Sequence, residues 1–348
     1  MNDDPIRTAD AERRDPVDAA RRRLATRALQ WSAAAALPGL LMPAAAGAQG
    51  RAPLRLGYQF HLWGAPAVVG LREGYFAEAG LDVDAKRFAS GTDARNAMIA
   101  GSVDVATVGM TPFVLGASIG NLIGVAAVCY AGRTGAVMAK SGAGIGRVAD
   151  LKGKRIASQV GSTLDNVFKK RIAPEAGLGP ADYAIVNVQF SDQVAALAAG
   201  SVDAFLGLEP FCAISEHRGL ATQLTDYYRY DTIPNMLAVS AEFAKRHPDR
   251  VVAFLRGWLR SVDLFKRDPA KTNQIMLSVY KESGYDVPAE VVGRVLERLI
   301  VTADFLPELE GSMKAEAESL AAAGRIKRIP TPQTALDLQY LQRARQPA

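Results

Sequence analysis

Cysteine occurs only twice in the 348 residues, at Cys129 and Cys212, and histidine only three times, at His61, His217 and His247. Neither C-x-x-C nor H-x-x-x-H spacing exists, so the chain carries no recognisable metal motif, and no metal or cofactor is expected. No block of five like charges appears, and 41 Lys and Arg against 36 Asp and Glu leave a net charge of only +5. With neither a basic stripe nor a nucleic-acid-binding motif, nucleic acid is excluded as an expected partner. Aromatics make up only 7%. No apolar run reaches the roughly 20 residues that span a bilayer. No nucleophile beside a base and no paired acids stand out, so an enzyme is not expected. What remains is a chain that is 49% apolar, able to bury large cores and long enough for about two domains.

The first 48 residues read as an addition to the fold. Basic "ARRRLATRALQ" precedes apolar "WSAAAALPGLLMP", and Ala46-Gly47-Ala48 offers a small-x-small cleavage site. That order predicts an export signal peptide over 1–48. Arg21, Arg22 and Arg23 fit a twin-arginine signal as well as a general secretory one. With no cysteine near the cleavage site, a soluble exported protein is expected and a lipoprotein is not. Export places Cys129 and Cys212 in an oxidising compartment. Both lie beside apolar runs, which favours two buried thiols over a bridge.

The rest alternates strand and helix signals. "PLRLGY", "LDVDAKRFA", "VDVATVG" and "NLIGVAAVCY" read as strands, separated by the helices "GAPAVVGLREGYFAEAG", "GTDARNAMIAGS" and "MTPFVLGASIG". Thr92 or Asp93 is the expected N-cap of the second helix, and Gly101 its terminator. The pattern restarts at "LKGKRIASQVG" and runs through "STLDNVFKKRIAPEAG", "YAIVNVQF", "SDQVAALAAG" and "VDAFLGL" to "EPFCAISEHRG". The pentapeptide AGSVD marks the repetition, at Ala100–Asp104 and again at Ala199–Asp203. Each copy ends a helix on Ala-Gly, opens a strand on Val-Asp and leads to a Pro-Phe helix start. Asp104 and Asp203 are therefore expected to be structural. Beyond Phe243 the chain is helical, and "TALDLQYLQRA" reads as a terminal helix. This is the grammar of an open α/β sheet written twice.

In this order the motifs "LRLGY", "GLREGYFAEAGLDVD", "AMIAGSVDVATVG", "DLKGKRIASQVGST", "VAALAAGSVDAFLGLEPF" and "AVSAEFAKRHPDRVVAFLRGW" resemble the periplasmic solute-binding proteins of ABC importers in the nitrate, sulfonate and taurine group. The thiamine-precursor binders are similar too. The resemblance covers about residues 53–345. It implies an α/β, two-lobed periplasmic binding protein of type II-like topology, with a ligand cleft at a two-crossover hinge and C-terminal helices. Lobe I would comprise 51–136 plus 234–348, and lobe II 137–233. It further implies a monomer in the periplasm that delivers a small organic anion or zwitterion to an inner-membrane ABC permease. A pyrimidine thiamine precursor or another flat heterocycle is the alternative ligand. Pyrimidine-synthesising enzymes share the fold, but they depend on a cysteine-rich segment that is missing here.

Ligands of open α/β sheets bind where strands end and helices begin, because free backbone N–H groups gather there. Gln59, Phe60 and His61 follow the first strand; Met110 and Thr111 end the strand after the first AGSVD. Gly161, Ser162 and Thr163 form a glycine-hydroxyl loop at a helix start, where N-capping and ligand contact are both compatible. Glu209 ends the strand after the second AGSVD and is a candidate to pair with Arg133 across the cleft or to accept from a ligand amine or hydroxyl. Trp63, Tyr130, Tyr227 and Tyr230 are candidate apolar walls. "GAGIGR" lacks the long apolar helix of a dinucleotide loop. Thr111 against Glu209 is the expected seat of substrate choice.

Overall fold

The computed structural model describes residues 52–347, and the expected export signal lies outside them. Eleven strands among the described residues form two sheets. The first contains β1 (Leu54–Gln59), β2 (Val83–Phe88), β3 (Val105–Gly109), β4 (Leu122–Tyr130), β10 (Pro234–Ser240) and β11 (Ile300–Val301). Their order is β11-β4-β10-β3-β1-β2. The second contains β5 (Gly135–Lys140), β6 (Arg155–Ser158), β7 (Ala184–Asn187), β8 (Ala204–Leu208) and β9 (Ala221–Asp226), in the order β7-β6-β8-β5-β9.

The two sheets share one plan. β1 lies parallel between β2 and β3, as β6 lies parallel between β7 and β8. One antiparallel strand then adds to each, β10 beside β3 and β5 beside β8. Two short segments, 131–134 and 227–233, carry the chain out of the first sheet and back again. β3 and β8 are buried along their whole lengths, as expected of central strands covered by helices on both faces.

The repeated pentapeptide does the same local work in each half. Asp104 Oδ2 accepts from the backbone N–H and Nε of Arg55, both at 3.0 Å, while Arg55 also donates to the Gly101 carbonyl at 2.5 Å. Asp203 Oδ2 accepts from the same two groups of Arg155 at 2.9 and 3.2 Å, and Arg155 donates to the Gly200 carbonyl at 2.8 Å. Gly101 and Gly200 sit at φ 71° and 73°, the left-handed conformation that ends a helix on glycine. Each aspartate thus pins the start of one strand to its parallel neighbour. The structural role expected of Asp104 and Asp203 is what the bonds show.

Two local expectations are corrected. The N-cap of the helix Gly91–Ile99 is Ser90, whose hydroxyl accepts from Asp93 N–H at 3.2 Å, in place of Thr92 or Asp93. Ser90 has the extended backbone an N-cap needs, whereas residues 91–93 are already helical. The terminal helix is shorter than "TALDLQYLQRA", running Gln339–Arg345 after a separate turn at Pro332–Ala335. Leu336 bridges to Gly124 of β4, and that pairing takes residues 336–338 out of the helix. Cys129 and Cys212 are buried and free, as expected. Among the described residues no helix is long and apolar enough to cross a membrane.

The side chain of Asp104 is 7% exposed and that of Asp203 30%. Charge-assisted hydrogen bonds weaken with solvent exposure. Asp104→Ala is therefore expected to cost roughly 2 kcal/mol and Asp203→Ala about 1 kcal/mol, measured by urea unfolding. Equal losses would contradict the assigned difference.

Candidate ligand-binding site

The ends of β1, β3 and β6 and the turn after β7 converge between the two sheets. Gln59, at the end of β1, donates its backbone N–H to Thr107 Oγ1 at 3.2 Å, and its side-chain Oε1 is buried without a partner. His61 is fully buried, and Trp63 N–H donates to its Nδ1 at 3.3 Å. Burial pushes the imidazole pKa down to about 3, so the ring is neutral. With Nδ1 accepting, the neutral ring carries its proton on Nε2. That Nε2 has no partner. His61 therefore presents one unused N–H donor.

Facing these groups from the second lobe is Phe190, with its ring 6.3 Å from His61 and 6.5 Å from Trp63, edge-on to both. Trp63 Nε1 donates to Thr134 Oγ1 at 2.9 Å in the first crossover. Phe60 stacks on Tyr285 at 5.8 Å, and the Arg87 guanidinium stands over the Phe60 ring at 5.0 Å. The aromatic wall is thus Phe60, Trp63, Phe190 and Tyr285.

At the other end, the first turns of two helices meet. Thr111 N–H donates to Thr163 Oγ1 at 3.2 Å across the cleft. Ser162 caps its own helix, accepting from Asp165 N–H at 3.2 Å. Gly161, at φ 83°, gives its N–H to Asp165 Oδ2, and its carbonyl accepts from Thr92 of the first lobe at 3.4 Å. Gly109 permits this approach, since a Cβ there would stand 2.6 Å from Thr163 Oγ1. These bonds join the helix starts that follow the two sheets.

Several residues bordering this contact were not singled out from the sequence. Asn235, on β10, is fully buried with Oδ1 unpartnered, and its Nδ2 donates to the Ile233 carbonyl at 3.4 Å. Glu316, on the helix Glu308–Ala322, accepts from Asn166 Nδ2 of the second lobe at 2.6 Å. Its other oxygen faces the Thr111 hydroxyl, which lies beside this carboxyl. Burial raises the Glu316 pKa above the ordinary carboxyl range, against the hydrogen bonds of its neighbours. At the rim, Arg325 Nη2 stands 3.7 Å from where a Cβ on Gly161 would be. Burial first, and the nearby Arg325 charge second, hold Arg95 below its usual pKa. No sequence pattern marks these positions, because each reaches the cleft only through tertiary packing.

Other sequence candidates lie elsewhere. Met110 turns into the first-lobe core with Phe113, Met236 and Leu309. Arg133 is exposed and stacks on Tyr228 at 4.3 Å, so it does not meet Glu209. Arg298 takes that place, with Nη1 at 3.4 Å from Glu209 Oε1. Glu209 also accepts from Ala213 N–H at 2.9 Å, capping the helix Phe211–His217 from just before it. Tyr130 accepts from Leu306 N–H at 2.6 Å, Tyr227 donates to the Leu164 carbonyl at 3.2 Å, and Tyr230 reaches Glu175 at 3.3 Å. These three tyrosines brace structure; of the four predicted aromatics, Trp63 faces the other lobe.

Two α/β lobes closing on a polar cleft define a periplasmic-binding-protein fold. The structure superposes on an alkanesulfonate-binding protein from Xanthomonas axonopodis pv. citri bound to MOPS with TM-score 0.73, at 24% identity over 82% of this chain and 98% of that one. It superposes on the periplasmic nitrate-binding protein of Synechocystis PCC 6803 with TM-score 0.65 at 14% identity, covering 84% and 88% of the two chains. Residues 64–272 match the NMT1/THI5-like family, and the chain belongs to that family. A Bacillus subtilis protein named for aliphatic sulfonate binding is 28% identical over 60% of this chain; the match spans 64% of that relative's length. The taurine-binding periplasmic protein of Escherichia coli is 27% identical over 72% of this chain and 85% of its own.

Burial, opposed by the Ala213 N–H and Arg298, pushes the Glu209 pKa up to about 7. A carboxyl raised in the folded state stabilises fully below its unfolded pKa and loses that contribution as pH rises to the folded one. Wild type should thus lose stability between about pH 4.5 and pH 7, by up to roughly 3 kcal/mol. In Glu209→Gln that part of the pH dependence should vanish in denaturant titrations at pH 5 and pH 8. An unchanged pH slope would contradict the burial of an ionising carboxyl here.

Proposed function

We propose that this protein is the exported substrate-binding component of an ABC importer, closing two lobes around a small organic anion or zwitterion of the sulfonate, taurine or nitrate kind. The observation that carries the proposal is the set of buried, unpartnered polar atoms between the sheets: Gln59 Oε1, His61 Nε2, Thr111 Oγ1, Asn235 Oδ1 and Glu316 Oε1. Buried polar groups without partners are costly, and a cleft that collects them is built to have them satisfied by something else. The His61 donor, the two helix starts and the rim arginines Arg95 and Arg325 suit the anionic end of a ligand. The relatives named for sulfonate and taurine binding support that class.

Gln59, His61, Thr111, Gly161, Ser162 and Thr163 are assigned to the ligand site, with Phe60 in its wall. Glu209 serves the closure contact with Arg298. The lobes are taken as 51–136 plus 234–348 and 137–233, hinged at the two crossovers, so that closure presents both to a permease in the inner membrane. Export through the N-terminal segment places a soluble monomer in the periplasm. The relatives are named as binding proteins, which fits a non-enzyme. The edge-on aromatic group of His61, Trp63 and Phe190 favours a second ligand class, a flat heterocycle such as a pyrimidine.

A thermal-shift panel of alkanesulfonates, taurine, nitrate, aromatic sulfonates and pyrimidines tests the proposal. A ligand at about 100 times its Kd adds roughly 2.7 kcal/mol to stability. A sulfonate or taurine is expected to raise Tm, and Gly109→Ala, which obstructs closure on Thr163, should lower its affinity at least about tenfold without unfolding the protein. A large shift from a pyrimidine alone would replace the sulfonate class by the heterocycle. Turnover of any compound would refute a pure binding role.

A further inference from the structure

A cavity of about 310 Å³ lies against Phe60, between the end of β2, the turn after β7 and the end of the helix Pro269–Glu282. Phe60 is the one residue it shares with the ligand site assigned above; His61, Thr111 and Thr163 do not line it. Its apolar walls are Phe60, Phe88 and Tyr285, and its polar groups are Arg87, Ser191 and Ser283.

Each wall is positioned by its own local structure. Gly284, at φ 80°, ends the helix Pro269–Glu282 in the left-handed conformation, and Tyr285 N–H returns to the Tyr280 carbonyl at 2.9 Å. That turn sets the Tyr285 ring nearly parallel to Phe60, at 5.8 Å and 11°. Phe211 meets Tyr285 edge-on at 5.3 Å, which holds the ring from a second direction. Arg87, next to Phe88 at the end of β2, donates to Ser283 Oγ at 2.8 Å, and its guanidinium stands 5.0 Å from the centre of the Phe60 ring. Among the described residues it enters no ion pair, so most of its N–H donors are free. The neighbouring carboxylate of Asp192 accepts from Ser191 Oγ at 3.1 Å and is not part of the lining.

A free, oriented guanidinium takes a carboxylate or sulfonate through two parallel hydrogen bonds. Flat aromatic walls take a further ring by offset or edge-on stacking. A bare inorganic anion would leave those walls unused, and an uncharged ring would leave the guanidinium unused. The volume, at the lower end of the range for small-molecule pockets, suits a single ring. We propose that this cavity is an accessory binding site for single-ring aryl acids, separate from the cleft, with Arg87 holding the acid group and Phe88 and Tyr285 the ring. The inference stands apart from the proposed transport ligand, because the two sites share only a wall.

Calorimetric titration of the full-length protein with two matched pairs tests it: benzoate against cyclohexanecarboxylate, and benzenesulfonate against cyclohexanesulfonate. The aryl member of at least one pair is expected to bind about fivefold more tightly, since its partner keeps the charge and lacks the flat ring. R87Q, a change at an exposed side chain, should weaken that aryl acid about tenfold or more. Tyr285→Leu keeps an apolar wall and should bring the two members of the pair to equal affinity. Gly109→Ala, which obstructs the cleft, should leave aryl-acid binding unchanged, and saturating ethanesulfonate should leave aryl acid bound. Should Tyr285→Leu fold poorly, R87Q and the competition with ethanesulfonate decide. Aryl-acid binding that R87Q weakens, with no binding of any alkanesulfonate or taurine, would support this site while removing the ligand class proposed for the cleft. No binding of either aryl acid, equal binding within both pairs, binding that R87Q leaves unchanged, loss of binding in Gly109→Ala or full displacement by ethanesulfonate would overturn the inference.

Discussion

Polar groups that neither lobe can satisfy alone constrain the whole molecule. A parallel α/β sheet places its strand ends and helix starts on one edge, where backbone N–H groups lack partners. Two such sheets brought edge to edge bury those groups together with Gln59, His61, Thr111, Asn235 and Glu316. Some of the demand is met across the gap, by Thr163 for Thr111 N–H and by Asn166 for Glu316. The remainder is unpaired. On the proposed reading, closure is favourable to the extent that a ligand between the lobes supplies the missing partners and so shifts a hinge equilibrium.

The scaffold around this edge is organised to be stiff. Each half repeats one bracket, an aspartate joining the start of a parallel strand to its neighbour through arginine, and the glycine before it ends the preceding helix. Long helices from the C-terminal part of the chain pack onto the first lobe, with Trp258, Phe254 and Leu255 buried along Pro248–Arg267. The helix Glu308–Ala322 packs its Met313, Ala317 and Leu320 into the same core as Phe113 and Met236. That packing carries Glu316 to the cleft. One helix thus links core stability to the proposed ligand chemistry.

Local signals made much of this legible before the structure. The strand and helix alternation, the doubled AGSVD bracket and the Ser162 cap are written in short stretches whose meaning depends on neighbours a few residues away. The place of His61 after the first strand is readable from the sequence, whereas its tautomer depends on the Trp63 contact. Arg133 was the wrong partner for Glu209 because ion pairing across a cleft is set by tertiary packing, and Arg298 arrives from the end of the helix Ala289–Glu297, 89 residues further on. Met110 was misjudged for a similar reason: position at a helix start is readable, but the direction of a side chain is not. Asn166, Asn235 and Glu316 were missed because polar residues on strands and helices look alike whether they face solvent or a cleft.

Hydrogen exchange in the presence and absence of a saturating ligand tests the central claim most directly. The account predicts slowed exchange at Gln59–Trp63, Met110–Phe113, Gly161–Asn166 and the turn carrying Phe190, on both lobes at once. Protection confined to one lobe, or to the C-terminal helices Pro269–Glu282 and Ala289–Glu297, would contradict a ligand held by closure of this cleft.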